Sequence, residues 1–204
     1  MARLEKLAKR LSENYRRNIF ALKCDIKKFF DSVDQSILFE LIQKKIKDDG
    51  ALWLINKIIK SFLKEQNKGL PLGNVTSQLF ANIYLNEFDQ FIKHKLKVKH
   101  YFRYTDDFII LHQDEDYLKG LLPTIAKFLR EKLKLNLHPN KVTIKKLRQG
   151  IDFLGYVILP YHRVLRTKTK RRILRKVSEN NLQSYLGVLK HCDGYKIKQS
   201  IMLK

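Results

Sequence analysis

The chain has 204 residues, enough for one substantial core or for one core with a small appendage. Apolar residues make up 44% of it, which excludes bulk disorder, while 42 Lys+Arg against 20 Asp+Glu leave a net charge of +22. A chain this basic repels itself unless a polyanion neutralises it; nucleic acid is the foremost candidate, with a membrane surface or an acidic protein as the alternatives.

Leu4, Leu7, Leu11 and Tyr15 recur at helical spacing within residues 3–17, so a short helix is predicted there. Residues 20–26 (FALKCDI) read as a strand carrying Asp25 at its end. Asp34 or Ser36 can cap a helix with Ile37, Leu38, Leu41, Ile42 and Ile46 on its apolar face, stopping at Asp49-Gly50. A second helix is predicted over 51–63, and the Gly69-Leu70-Pro71-Leu72-Gly73 break precedes one long helix over 76–97. Residues 100–104 and 108–112, aromatic and β-branched, meet at Thr105-Asp106-Asp107 and predict a hairpin. Residues 114–134 are helical, with Pro123 a kink or restart, and short strands follow near 136–137, 142–147, 151–154 and 156–159. The chain closes with a basic helix from about Thr167 and another near 182–189. Strands and helices do not alternate strictly, which favours an α+β fold around an antiparallel hairpin.

Cys24 and Cys192 lie far apart and outside any Cys/His metal spacing, which argues against a zinc site or a disulfide framework and fits a reducing compartment. The first ten residues lack the apolar core of a leader peptide, and no stretch approaches the ~18 apolar residues of a membrane span. A soluble, cytoplasmic protein without membrane association is therefore expected.

The chemistry centres on carboxylates. Asp25 ends one apolar strand and Asp106-Asp107 occupies a turn between two others, so one sheet can bring them together. Such a cluster suits Mg²⁺, which takes oxygen ligands from one or two carboxylates plus substrate phosphates. Two ions about 3.5–4 Å apart can drive nucleotidyl transfer. A lone Asp-Asp turn is usually only solvated, and Asp31 and Asp34 read as turn or cap residues. The core strands around this turn, the basic chain and the glycine break between the acids favour the site.

Asp25-Ile26-Lys27-Lys28-Phe29-Phe30 resembles motif A of reverse transcriptases, Leu70-Pro71-Leu72-Gly73 with Ser77-Gln78 their motif B, and Tyr104-Thr105-Asp106-Asp107 their YxDD box. Leu137-His138-Pro139-Asn140-Lys141 resembles motif D and Phe153-Leu154-Gly155-Tyr156 motif E, the primer grip. The resemblance runs to about residue 195. It implies a right-hand polymerase palm, an antiparallel sheet with helices on one face, followed by a basic helical thumb segment. The corresponding boundaries are an N-terminal helix over 1–19, the palm over 20–160 and the thumb segment over 161–204.

By that resemblance Asp25 and Asp106 would be the main ligands of two Mg²⁺ ions, with Mn²⁺ a possible substitute and Asp107 in support. Main-chain groups of Ile26 to Phe30 would face the second metal and the triphosphate, so that Ile26, Lys27, Lys28, Phe29 and Phe30 join Leu72, Gly73 and Gln78 in nucleotide binding. Phe30 would be the steric gate that excludes a 2′-hydroxyl, although a buried core Phe is the plain alternative and Phe29 fits the core better. Lys141 would be the general acid for the departing pyrophosphate, against the alternative of a solvated charge. Tyr104, Phe153, Leu154, Gly155, Arg166, Lys170 and Arg171 would contact primer and template. Residues 163–176, with eight Lys/Arg and no acid, would form the first thumb helix.

The partners implied are an RNA template, a DNA primer or cDNA, and deoxynucleotides. An aliphatic Leu72 before Gly73, with Gln78 after Ser77, is most similar to reverse transcriptases of bacterial and phage diversity-generating retroelements, which copy their template with errors at adenines and work with a basic accessory protein. The alternatives are a group II intron or retron-like enzyme, or a truncated inactive palm that only binds nucleic acid. Motif A begins at residue 25, where the family carries a fingers region; before it stand only Arg3, Arg10, Arg16 and Arg17 as arginines. A separate fingers-bearing chain is thus a further expected partner.

Overall fold

The computed structural model describes residues 2–62, 67–71 and 73–202. Packing divides the chain into two compact units, Leu22–Ile144 and the combination of Met1–Ala21 with Lys145–Lys204. This division by packing differs from the division by motifs, because residues 145–160 pack with both chain ends.

The Leu22–Ile144 unit is built on a sheet of β1 (Phe20–Asp25), β2 (Tyr101–Tyr104), β3 (Asp107–His112) and β4 (Thr143–Lys146), in the order β2-β3-β1-β4. β2 and β3 form the expected antiparallel hairpin, with Tyr104 opposite Asp107 and only Thr105 and Asp106 in the turn. β3 lies inside the sheet, and Phe108, Ile109, Ile110 and Leu111 are all buried. An uninterrupted apolar run is what a strand covered on both faces requires.

The helices of this unit are α2 (Phe29–Ser32), α3 (Gln35–Gln43), α4 (Asp49–Lys60), α5 (Val75–Gln90) and α6 (Glu115–Leu133). Asp34 caps α3 by accepting the amides of Ser36 and Ile37 at 3.0 and 3.1 Å. Asp49-Gly50, read from sequence as a stop, instead opens α4, because Asp48 accepts the Ala51 amide and makes the cap one residue earlier.

α5 buries Ser77, Phe80, Ala81, Tyr84, Leu85 and Phe88, a single helical stripe. The long helix expected over 76–97 changes at Phe91 into one π-helical stretch, Phe91–Lys95. There Phe91 stacks on Phe128 of α6 at 4.0 Å while Ile92 stays buried, and the wider turn accommodates both. Pro123 does not restart α6, which runs from Glu115 to Leu133 with the proline inside it. Its ring is on the exposed face, where the freed carbonyl can tilt to water. The buried Tyr84 hydroxyl ties the unit together, donating to the Leu133 carbonyl at 2.7 Å and accepting the Asp34 amide at 3.3 Å.

The second unit contains α1 (Ala2–Leu11), an antiparallel sheet of β5 (Ile151–Phe153), β6 (Tyr156–Ile158) and β7 (Arg163–Leu165), and the helices α7 (Thr167–Lys176), α8 (Glu179–Leu189) and α9 (Tyr195–Met202). The expected helix over 163–176 is corrected at its start. Arg163–Leu165 pairs with Tyr156–Ile158 as a strand, and only from Thr167 is the basic run helical. Leu165, Ile173, Leu189, Ile197 and Ile201 form a small apolar core beneath α7, α8 and α9. α9 was absent from the sequence-based expectation. Among the described residues no helix is long and apolar enough to cross a membrane.

Candidate active site

Asp25 is the last residue of β1, and Asp107 is the first of the neighbouring β3. The Ile26 amide donates to the Asp106 carbonyl at 3.2 Å, so the end of β1 is joined directly to the hairpin turn. Asp25 is 8% exposed and lies close enough to Asp107 for its charge to raise that carboxyl's pKa. Asp106 accepts from the Thr105 hydroxyl at 2.9 Å. Thr105 itself adopts φ 50°, a left-handed conformation that costs a non-glycine residue on the order of 1 kcal/mol.

The loop before β4 is strapped across the same strand end. The Lys27 amide donates to the Asn136 carbonyl at 2.9 Å, and the His138 amide donates to the Asp25 carbonyl at 2.8 Å. The turn that follows brings the Lys141 Nζ to 2.9 Å from Asp25 Oδ2. The structure thus gathers Asp25, Asp106, Asp107 and Lys141 from three separated stretches of chain.

Burial pushes the Asp107 carboxyl above the usual carboxylate range; the charges of Asp25 and Asp106 add to this and the Lys23 ammonium opposes it. Asp107 Oδ1 is buried with no hydrogen-bond partner. An acid whose folded pKa is raised favours folding below its unfolded value and loses that contribution as pH rises through the folded value. Asp107→Asn should therefore raise the Tm of the metal-free protein at pH 7, with the gain over wild type shrinking as pH falls towards 4; thermal scans across that range measure it.

These observations bear on metal binding. A divalent cation would relieve the crowding of three carboxylates and satisfy the orphaned Asp107 oxygen. Among the described residues no three Asp, Glu, His or Cys side chains are grouped closely enough to hold a metal ion by themselves.

Main-chain amides of the motif A stretch are in part already used within the fold. The amides of Ile26 and Lys27 are committed to Asp106 and Asn136, which leaves the stretch from Lys28 onward. Phe29 is core, packed edge-on against Tyr84, whereas the Phe30 ring is half-buried and braced edge-on by Phe29 at 5.2 Å. The motif B break is fastened behind Phe30: the Leu70 amide donates to the Phe30 carbonyl at 2.7 Å and the Gly69 amide to Val33 at 2.9 Å. Gln35 Nε2 lies within hydrogen-bond distance of the Gly69, Phe62 and Ile59 carbonyls. Gly73 adopts φ 95° immediately before α5, on which Ser77 is buried and Gln78 exposed. Leu72 lies outside the described residues.

Tyr104 is 60% exposed beside the Asp106-Asp107 turn. In the other unit, Leu154 and Gly155 form a two-residue turn at φ 51° and 85° between Phe153 and Tyr156, the left-handed pair that tight hairpins favour. Phe153 is buried. Arg166 is engaged within the protein, its guanidinium on Asp152 and its amide on the Gly155 carbonyl, whereas Lys170 and Arg171 are exposed on α7.

Sequence reasoning missed Lys23, which the period-2 spacing from Asp25 could have placed on the same strand face. It also missed Arg103, Asp89 and Tyr101, signalled by an arginine inside an otherwise aromatic strand.

Asp25 and Asp107 at adjoining strand ends of a helix-packed sheet, with Asp106 in the hairpin turn beside them, give the arrangement of a polymerase palm. The reverse transcriptase (RNA-dependent DNA polymerase) family model matches residues 3–158, and the chain belongs to that family. The group II intron-encoded protein LtrA of Lactococcus lactis subsp. cremoris is 29% identical over 233 residues, covering 81% of this chain and 38% of that protein. The retron Ec73 reverse transcriptase of Escherichia coli is 25% identical, covering 87% and 63%. A putative COX1/OXI3 intron 2 protein of Saccharomyces cerevisiae is 24% identical, with 66% and 23% covered. The chain therefore spans less than two thirds of each relative. Among solved structures, telomerase from Candida albicans in complex with a TWJ fragment of telomeric RNA shares the fold at TM-score 0.60 and 12% identity, over 98% of this chain and 43% of that one. A foamy viral protease-reverse transcriptase in complex with an RNA/DNA hybrid matches at TM-score 0.53 and 21% identity, over 83% and 21%.

Proposed function

We propose that the chain is the catalytic palm, residues 20–160, and the first thumb segment, residues 161–204, of an RNA-directed DNA polymerase. The observation that carries this reading is the meeting of Asp25 with Asp107 at adjoining strand ends, with Asp106 joined to them through the Ile26 amide. Two Mg²⁺ ions, or Mn²⁺ in their place, would supply the charge that activates a primer 3′-hydroxyl and stabilises departing pyrophosphate.

The chain's own residues do the rest. Asp25 and Asp106 would be the principal ligands, with Asp107 supporting them. Lys141, held 2.9 Å from Asp25, keeps an ammonium at the site that can protonate the leaving group. Phe30, braced by the buried Phe29, would be the steric gate against a ribose 2′-hydroxyl. The exposed cations of α7, with the Leu154-Gly155 turn, would contact a template–primer duplex through its phosphates.

Purified protein given Mg²⁺, poly(rA)–oligo(dT) and dTTP tests the reading directly. Template-dependent extension supports it. Tight duplex binding without extension would instead mark the chain as a nucleic-acid-binding palm with no activity of its own.

A finer reading rests on motif B. Leu72 and Gln78 favour the diversity-generating type, an error-prone cDNA synthesis that works with a basic accessory protein. A glutamine beside the incoming nucleotide can make polar contacts that an aliphatic side chain cannot, and discrimination falls when such contacts are lost. Leu72→Gln is expected to lower misincorporation opposite template adenine by about 3–10-fold in a primer-extension assay. An unchanged error rate would remove Leu72 from that role and favour a group II intron or retron-like enzyme.

A further inference from the structure

The hairpin turn that carries Asp106 and Asp107 has an internal support. Arg103 is on β2, opposite Phe108, with a side chain only 10% exposed. Its guanidinium grips Asp89 of α5 with two prongs, Nε to Oδ1 at 2.8 Å and Nη2 to Oδ2 at 2.6 Å. Its remaining nitrogen, Nη1, donates to the Thr105 carbonyl at 3.1 Å and reaches Asn82 Oδ1 at 3.4 Å. The Tyr101 hydroxyl adds a third bond to Asp89, at 2.7 Å. Burial, and then the charge of Asp89, push that phenol well above its ordinary pKa, so it remains a donor.

Asn82 and Asp89 are two helical turns apart and so share one face of α5. Arg103 lies along that face and reaches from it to the turn. α5 is also the helix that begins just after Gly73 and carries Gln78. One forked side chain therefore connects the helix behind the nucleotide-side residues to the carbonyl immediately before the acids. That connection counters a local cost, because Thr105 is held in a left-handed conformation that an isolated turn would tend to leave.

We propose that Arg103, clamped by Asp89, is a positioning residue that holds the Thr105 carbonyl and so fixes the Asp106-Asp107 carboxylates for metal binding. The inference rests on the polymerase reading for its kinetic consequence, but not for its metal-binding consequence. Lysine cannot replace the arginine, since an ammonium lacks the planar fork that spans Asp89 and still reaches Thr105.

The test uses the full chain with Arg103→Lys, reading Mn²⁺ affinity by electron paramagnetic resonance and primer extension separately. Expected are a Mn²⁺ affinity weakened about 10-fold and a kcat lowered about 10–100-fold, with KM for dTTP and duplex affinity within about 3-fold of wild type. If wild type binds Mn²⁺ but does not extend primers, the polymerase reading fails, while a weaker Mn²⁺ affinity in Arg103→Lys still upholds the positioning role. Should Arg103→Lys melt near the assay temperature, Asp89→Asn keeps the size and one acceptor and reads the same two quantities. Wild-type Mn²⁺ affinity and kcat in a folded variant overturn the proposal. Collapse of both variants would do so as well, by making the network a requirement of folding.

Discussion

Asp25→Asn and Asp106→Asn are each expected to lower the rate of primer extension by about 10³-fold or more, while Tm and duplex affinity stay at or above wild type. The magnitude follows from what the amide removes. Asparagine keeps the shape of the side chain but offers a metal only a neutral oxygen, so charge that would build up on the reacting phosphate goes uncompensated. The fold should not suffer. Asp25 sits against Asp107, whose carboxyl is already pushed towards its neutral form by burial and by neighbouring acids, and removing one of those charges eases the crowding. Duplex affinity should hold, since on the proposed reading it would come from exposed cations such as Lys170 and Arg171. Extension by either variant at more than about a tenth of the wild-type rate would contradict the assignment of these acids.

Gly150→Ala is expected to destabilise the chain by about 2–4 kcal/mol. Gly150 lies between the 3₁₀ turn Leu147–Gln149 and β5 at φ 86°, a region that L-residues rarely enter. An added Cβ would also stand 2.6 Å from Val157 Cγ1 and 3.4 Å from Leu159 Cδ2. Strain and overlap therefore act together, at the point where β5 begins to pair with β6. Gly155→Ala provides the control. Its φ of 85° imposes similar strain, but the nearest atom to its Cβ is Thr169 Oγ1 at 3.7 Å. A cost of about 1 kcal/mol is expected there, so equal losses in urea unfolding of the two variants would rule out the steric part of the account.

The candidate site was legible to different depths. The hairpin showed in the sequence because two aromatic and β-branched runs flank a turn too short to be anything else, and its register places Tyr104 opposite Asp107 as that pattern requires. Asp25 at a strand end was equally plain. Asp34 as a cap and the helical run of α5 followed from local spacing, and Phe29 as core from its place beside Phe30 in motif A. β7 was hidden because three residues within a basic run carry no period of their own, and only pairing with β6 makes them a strand. The commitment of the Ile26 and Lys27 amides was invisible for the same reason, since their acceptors are in the hairpin turn and in the loop near residue 136.

By itself, then, the amino-acid sequence determined the basic character, the local elements and the identity of the acids, because charge, periodicity and turn chemistry act between near neighbours. What only the tertiary structure decided is which of these groups meet. β1 lies between β3 and β4, which brings Asp25 beside Asp107 and within 2.9 Å of Lys141, and α5 packs so that Asp89 receives Arg103. Those meetings depend on the order of strands in a sheet and on the faces helices turn to it. Contacts between distant segments set both, and no local pattern of residues records them.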